Sequence, residues 1–247
     1  MRGLILAAVT GMLAAWFVGP ADCRGGDPGG QEERLSALRD RMVTEQIQGR
    51  DVSDPRVLAA LRSVPRHRFV PEQLRAMAYE DQPLPIGEGQ TISQPYIVGI
   101  MSELMQLAGN ERVLEVGTGS GYQAAVLAEL AKEVYSVEIL EPLARRAAAT
   151  LRELGYAGVA VRAGDGYLGW PEAAPFDAVM VTAAPDHIPQ PLIDQLKVGG
   201  RLVIPVGKYF QELQQCVKKP QGLVCKSIIP VRFVPLTGEE VDKKHRQ

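Results

Sequence analysis

Histidine and cysteine are scarce in this chain, three of each in 247 residues. None falls beside other ligand types at the spacing of a metal site, so no metal is predicted. Charge is scarce in another sense: acidic and basic residues are interspersed, with no long run of either sign. The formal net charge of -2 gives no case for nucleic acid as a partner. The uncharged run from Leu4 to Val18 is short for a full bilayer span. What remains is ordinary: 46% hydrophobic and 23% charged residues, enough for one large α/β domain with a substantial core.

Arg2 precedes the apolar run and Gly19-Pro20-Ala21 follows it, the layout of a secretory signal peptide over residues 1–21. Export, to a periplasm-like space, is the expectation; a short anchor that stays attached is the alternative. Cys23 invites lipidation, but Asp22 before it is a poor match for such processing. Residues 22–34 are expected to form a flexible linker, since Arg24 to Gln31 is glycine-rich and lacks periodicity. Residues 239–247 are read as a polar tail, and 35–238 as a single domain.

Leu35, Leu38, Met42, Val43 and Ile47 fall near a 3.6-residue repeat, and Ser53-Asp54-Pro55 starts another helix. With the substrate loop that follows, residues 35–107 form a cap ahead of the sheet. The basic cluster Arg66-His67-Arg68 within it is expected on a solvated surface. The stretch Asp81 to Tyr96, rich in proline, glycine and small polar residues, is not expected to form a regular element. It leads into a helix from Ile97 to Leu107, and on local evidence Ser93 is an N-cap serine.

The stretch Val113-Leu114-Glu115-Val116-Gly117-Thr118-Gly119-Ser120-Gly121-Tyr122 reads as a strand, a nucleotide-binding turn and a helix start. Glycines lack a Cβ, so a ligand can lie directly against the main chain. The spacing Gly-x-Gly-x-Gly differs from the dinucleotide pattern Gly-x-Gly-x-x-Gly. Glu115 just before the turn would repel a diphosphate but would suit an ammonium group. Those features favour S-adenosylmethionine over a nicotinamide cofactor. The strand Glu133 to Glu138 ends in an acid about twenty residues on, where a carboxylate receives ribose hydroxyls. Asp165, in the turn Gly164-Asp165-Gly166 after a third strand, is placed to meet an adenine amino group. Read singly, Glu138 and Asp165 are helix caps or turn residues.

Phe176 to Thr182 and Gly200 to Val206 complete a doubly wound, mostly parallel sheet spanning 108–207. Trp170 is read as packing, and Asp186 and His187 are given no role. In 208–238, Lys219-Pro220-Gln221-Gly222 separates two segments as a hairpin with Cys216 and Cys225 opposite each other. In an oxidising compartment they pair; two free thiols is the equal alternative.

Glu88-Gly89-Gln90-Thr91-Ile92-Ser93-Gln94-Pro95-Tyr96, followed by the glycine turn, resembles the protein-L-isoaspartate O-methyltransferase family. The likeness continues through Gly164-Asp165-Gly166, Pro175-Phe176-Asp177-Ala178, Val181 to Pro185 and Val198 to Gly207, and ends at Val231 to Leu236. It implies a class I, Rossmann-like methyltransferase fold with an N-terminal helical cap and a C-terminal antiparallel hairpin. It also implies S-adenosylmethionine as cofactor, and damaged, isoaspartyl-containing proteins and peptides as substrates, methylated on the freed α-carboxylate. The family's active-site serine falls on Ser93. Its cofactor residues fall on Glu115, Gly117, Thr118, Gly119 and Gly121, on Glu138, and on Asp165 and Gly166. Thr91 and Ile92 are assigned to the cofactor as well. The closing segment Val231 to Leu236 is expected on the substrate side, with Gln94 and Arg232 as candidate substrate contacts; an outward strand arginine is the alternative for Arg232. The family is typically cytoplasmic, against the export signal, and a monomer is expected.

The chemistry agrees with the absence of a catalytic triad. A carboxylate with a reference pKa of about 3.5 is ionised at neutral pH, so the nucleophile needs no general base. In-line placement then carries the rate, up to roughly 7–11 kcal/mol. A methyltransferase acting on another carboxylate or a small molecule, and a non-catalytic binder of altered peptides, are the competing readings.

Overall fold

The computed structural model describes residues 28–238. The expected signal segment, the linker up to residue 27 and the polar tail lie outside them. From Pro28 the chain is helical rather than linker: α1 (Pro28–Arg41) runs into a π-helical stretch, Met42–Gln48. Proline at a helix start loses no hydrogen bond. Leu35 and Leu38 pack on the core, and Met42, Val43 and Ile47 are fully buried in it. That burial outweighs the glycine-rich composition that suggested a linker. Helix α2 (Pro55–Ser63) is capped by Asp54, which accepts the Arg56 N–H at 2.8 Å.

The basic cluster divides: Arg68 is exposed, as expected, and pairs with Glu153, whereas its two neighbours are interior. Arg66 and His67, on the 3₁₀ turn Arg66–Phe69, are 0% and 3% exposed, because Pro65 and Pro71 bracket a turn tucked under the substrate loop. His67 Nδ1 lies 2.7 Å from Tyr79 Oη, and burial holds the His67 pKa down. Burial lowers the Arg66 pKa to about 10, which leaves it charged at neutral pH.

The proline- and glycine-rich stretch does contain a regular element. Strands β1 (Leu84–Gly87) and β2 (Gln90–Ile92) form an antiparallel hairpin with Gly87 paired to Gln90. Glu88 and Gly89 between them have φ of 53° and 69°, and two central residues at positive φ make the tight turn that follows strand twist. Helix α3 (Pro95–Met105) then starts two residues earlier than expected.

The main sheet has the order β5-β4-β3-β6-β7-β8-β9. Strands β3 (Arg112–Val116), β4 (Glu133–Glu138), β5 (Ala160–Ala163), β6 (Phe176–Val181) and β7 (Leu196–Val206) are parallel to their neighbours in this set. Helices α4 (Tyr122–Ala128), α5 (Glu141–Glu153) and α6 (Gln190–Asp194) lie between them in sequence. Alternation along β3 sends Val113 into the core shared with α2 to α5, and Leu114 and Val116 into the core shared with α6. Trp170 packs edge-on against Tyr135, with the Arg162 guanidinium over its ring. Strand order reverses beside β3, where β4 lies on one side and β6 on the other. Open α/β sheets bind ligands at the carboxyl ends of strands there.

Strands β8 (Gln211–Lys219) and β9 (Gly222–Val231) close the sheet antiparallel, with Cys216 opposite Cys225 and joined to it by a disulfide. No helix among the described residues is long and apolar enough to cross a membrane, and no group of three His, Cys, Asp or Glu that could hold a metal is gathered there.

Candidate functional site

The glycine turn forms the floor of a cleft at the carboxyl ends of β3, β4 and β6. Gly117 N–H donates to Val137 O at 2.8 Å, and Thr182 Oγ1 donates to Gly117 O at 2.6 Å. Both neighbouring strands therefore grip the turn. Gly117, Thr118, Gly119, Glu138, Gly166, Thr91, Ile92 and Ser93 all line the cleft, as expected for the cofactor and the serine. Glu138 caps the turn: its carboxylate accepts the N–H groups of Gly119 at 2.8 Å and Leu140 at 3.0 Å. Each carboxylate oxygen keeps a second lone pair for a ligand hydroxyl.

Three expected cofactor residues do not themselves line the cleft. Glu115 is 0% exposed and does not line the cleft. It is in register with Ser136 of β4, and the Ser136 hydroxyl donates to its Oε2 beneath the turn. Ser136 Oγ in turn lies 2.5 Å from Thr118 Oγ1, so a chain of hydroxyls links Glu115 to the cleft wall. Burial is the main reason the Glu115 pKa rises to about 8; the Ser136 bond opposes that rise and nearby Glu138 adds to it. Its Oε1 is buried with no hydrogen-bond partner among the described residues. Gly121 opens α4 against Ala147 and Leu151, away from the cleft. Asp165 caps the turn Gly166–Leu168 by accepting the Tyr167 N–H at 2.9 Å, the local alternative weighed for it.

Ser93 is not the N-cap of α3. That place belongs to Gln94, without a side-chain cap bond. The serine loop is instead held from behind, where buried Arg66 donates from Nη2 to Ser93 O and from Nε to Ala78 O, each at 2.7 Å. Its Nη1 and the Tyr122 hydroxyl are buried without partners among the described residues. Asp81 holds the outer side: it pairs with Arg50 at 3.0 Å, and Arg50 stacks over Tyr96.

Beyond Ser93 lies a second, outer groove, lined by Gln94, Tyr96, Arg50, Arg232 and the segment from Ile229 to Val234. Arg232 is exposed there, which leaves it free to face outward as well as toward the groove. Thr91, Ser93, Thr182 and Val234 line both cleft and groove. They form the wall across which a group could pass, and none of the four is ionisable. The closing segment is fixed over this wall: Ala184 N–H donates to Val234 O and Leu236 N–H to Ala184 O, both at 2.8 Å. Sequence reasoning gave no role to Thr182, Arg66 or Ser136. Thr182 lay inside a motif already noted and Arg66 inside a cluster expected at the surface, whereas nothing local marked Ser136.

The glycine floor fits a ligand pressed against peptide, and a carboxylate at the end of β4 fits ribose hydroxyls, so the cleft suits S-adenosylmethionine. A sequence model described as protein-L-isoaspartate(D-aspartate) O-methyltransferase matches residues 37–241. A protein-L-isoaspartate O-methyltransferase of Opitutus terrae is 60% identical over 204 residues, 82% of this chain and 88% of that protein. Protein-L-isoaspartate O-methyltransferase 2 of Syntrophobacter fumaroxidans is 54% identical over 235 residues, 92% and 93% of the two chains. Among solved structures, a protein-L-isoaspartate O-methyltransferase superposes with a TM-score of 0.73 at 31% identity, over 86% of this chain and 69% of that one. A Plasmodium falciparum structure, described as a putative enzyme of that kind in complex with S-adenosyl-L-homocysteine, has a TM-score of 0.71 at 23% identity and shares the fold. That match covers 82% of this chain and 98% of the other.

Proposed function

The chain belongs to the protein-L-isoaspartate(D-aspartate) O-methyltransferase family, and from that premise we propose how its own residues divide the work. The protein is an S-adenosylmethionine-dependent protein-L-isoaspartate O-methyltransferase, acting in protein repair. When bound, S-adenosylmethionine supplies an electrophilic methyl group. Gly117, Thr118 and Gly119 provide the floor for it, Glu138 accepts its ribose hydroxyls, and Thr91, Ile92 and Gly166 complete the walls. Glu115, through Ser136, fixes the turn from below.

The observation that carries the assignment is the shared wall. It offers the hydroxyls of Thr91, Ser93 and Thr182 but no ionisable group. A carboxylate nucleophile needs only to be aimed, because it is already ionised. In this reading Ser93 donates a hydrogen bond to the isoaspartyl α-carboxylate, while Gln94 and Arg232 meet the polypeptide in the outer groove. The closing segment excludes water. A monomer is the proposed active species, and activity confined to a dimer fraction on gel filtration would sink that part.

The test is methyl transfer from labelled S-adenosylmethionine to matched peptides containing isoaspartate or aspartate. Base-labile label is expected on the isoaspartyl peptide alone. Ser93→Ala is expected to cost about 10- to 100-fold in kcat/KM with cofactor affinity kept, since a hydrogen bond to a charged group contributes about 1.5–3 kcal/mol. No label on either peptide, with cofactor binding intact, would leave the small-molecule and non-catalytic readings.

We also propose that the catalytic domain works outside the cytoplasm. Two observations support this: the signal-like run from Leu4 to Val18, which lies outside the described residues, and the Cys216–Cys225 disulfide. Disulfides persist in oxidising compartments. Cell fractionation with thiol alkylation should find the protein in the exported fraction with both cysteines blocked from alkylation. Cytoplasmic protein with two free thiols would refute the proposal. Cys225→Ser is expected to lower stability by about 2–3 kcal/mol, the effect of opening a short loop.

A further inference from the structure

Tyr209 and Phe210 are the most exposed large hydrophobic residues described, at 85% and 94%. Two adjacent, outward-facing aromatic rings are uncommon on a surface that has no use for them. They sit in the turn joining β7 to β8, next to Lys208, whose Nζ lies 5.7 Å from the Tyr209 ring centroid. The methyl-transfer chemistry uses neither.

Their place in the fold ties them to the outer groove. Gln211, the next residue, is in register with Val231 of β9. Its side chain also clamps the backbone of Phe233: the Phe233 N–H donates to Gln211 Oε1 at 2.6 Å, and Gln211 Nε2 donates to Phe233 O at 3.2 Å. Phe210 immediately precedes Gln211, and Phe233, to which Gln211 is bonded, lines the groove together with Arg232. At the other end of the turn, Gly207 N–H donates to Pro185 O at 2.9 Å. The turn carrying the aromatic pair is thus tied down on both sides, on one of them to the groove-lining segment, rather than left as a loose loop.

We propose that Tyr209 and Phe210 form a docking platform for the substrate polypeptide, taking an apolar or aromatic side chain a few residues away from the isoaspartyl site. The proposal rests on the methyl-transfer reading above. It fits a substrate class defined by damage at one residue, because the wall at Ser93 reads that residue while affinity comes from its neighbours. Aromatic rings are well suited to that role, since they offer large contact area with little side-chain entropy to lose. Lys208 beside the Tyr209 ring and Arg232 in the groove are both cationic, so an acidic residue next to the apolar one is tolerated and a basic one disfavoured.

The test compares the unaltered protein with the double variant Tyr209→Ser, Phe210→Ser; both side chains face solvent, so the fold is expected to persist. Substrates are isoaspartyl peptides with serine flanks, and the same peptides carrying leucine or phenylalanine two to five residues to either side. For the unaltered protein, the best apolar-flanked peptide is expected to have a KM about five- to tenfold below the serine-flanked one, equivalent to about 1–1.4 kcal/mol. The double variant should erase that difference while leaving kcat and the serine-flanked KM unchanged. Equal KM values in the unaltered protein, or an apolar preference that survives in the variant, would overturn the proposal. So would vesicle binding or self-association that the variant loses with no change in KM, which would assign the rings to a membrane or to a second copy. If the unaltered protein methylates neither peptide, the underlying methyl-transfer reading fails and this proposal with it. Methylation without flank discrimination sinks the platform alone.

Discussion

Gly117→Ala is expected to abolish measurable S-adenosylmethionine binding and to lower stability by about 3 kcal/mol. Gly117 has a φ of 98°, where a residue with a Cβ is strained by about 1–2 kcal/mol. A Cβ there would lie 2.3 Å from Thr182 Oγ1, far inside contact distance. To make room, Thr182 must turn and give up the hydrogen bond its one hydroxyl proton makes to Gly117 O at 2.6 Å, with Val116 O also in reach, worth about 1 kcal/mol. Thr182 also belongs to the wall between cleft and groove, so the disturbance reaches the transfer point. Gly155→Ala is the control. Its φ is 89° but no atom lies within 4 Å of the added Cβ, so it should cost about 1 kcal/mol of strain and no activity. Calorimetric titration with the cofactor and urea denaturation read both effects. If Gly117→Ala binds cofactor within threefold of the unaltered protein, the close approach of turn and Thr182 does not matter as argued.

The second large effect is on stability against pH. Glu115 ionises at about 8 in the folded protein against 4.5 for an ordinary glutamate, chiefly because it is buried. Between those values the folded chain holds a proton that the unfolded chain has released. Stability therefore falls as pH rises, fully present below 4.5 and lost by about 8. At about 1.4 kcal/mol per pH unit, that interval corresponds to about 5 kcal/mol. Glu115→Gln keeps the shape of the protonated group and removes the titration. Chemical denaturation across pH 4 to 9 should show the unaltered protein losing stability steeply while Glu115→Gln changes far less. Parallel curves for the two proteins would mean that Glu115 is not the group responsible, and would weaken its assigned place beneath the turn.

Legibility followed the range over which each feature is decided. The glycine turn and the carboxylate ending β4 were readable because a strand, a tight turn and a helix start are written in adjacent residues. Runs such as Phe176 to Val181, apolar at almost every position, marked strands buried on both faces. Ser93 was legible through its motif, although local evidence alone favoured a cap that the structure gives to Gln94. Helix α1 was missed at its start because composition near Pro28 suggests a linker, while its continuity with the buried stretch Met42–Gln48 is invisible to composition.

The sequence by itself determined the parallel strands of the main sheet and the turn that receives the cofactor, because backbone dihedrals and apolar periodicity are local properties; the family was legible through its motifs. Only the tertiary structure decided which way the chemistry-bearing side chains face. Glu115 points beneath the turn because register with β4 sets it against Ser136. Arg66 is interior because the carbonyls of Ala78 and Ser93 arrive from 12 and 27 residues away to receive it. Each outcome depends on long-range pairing, whose energy no short stretch of sequence contains.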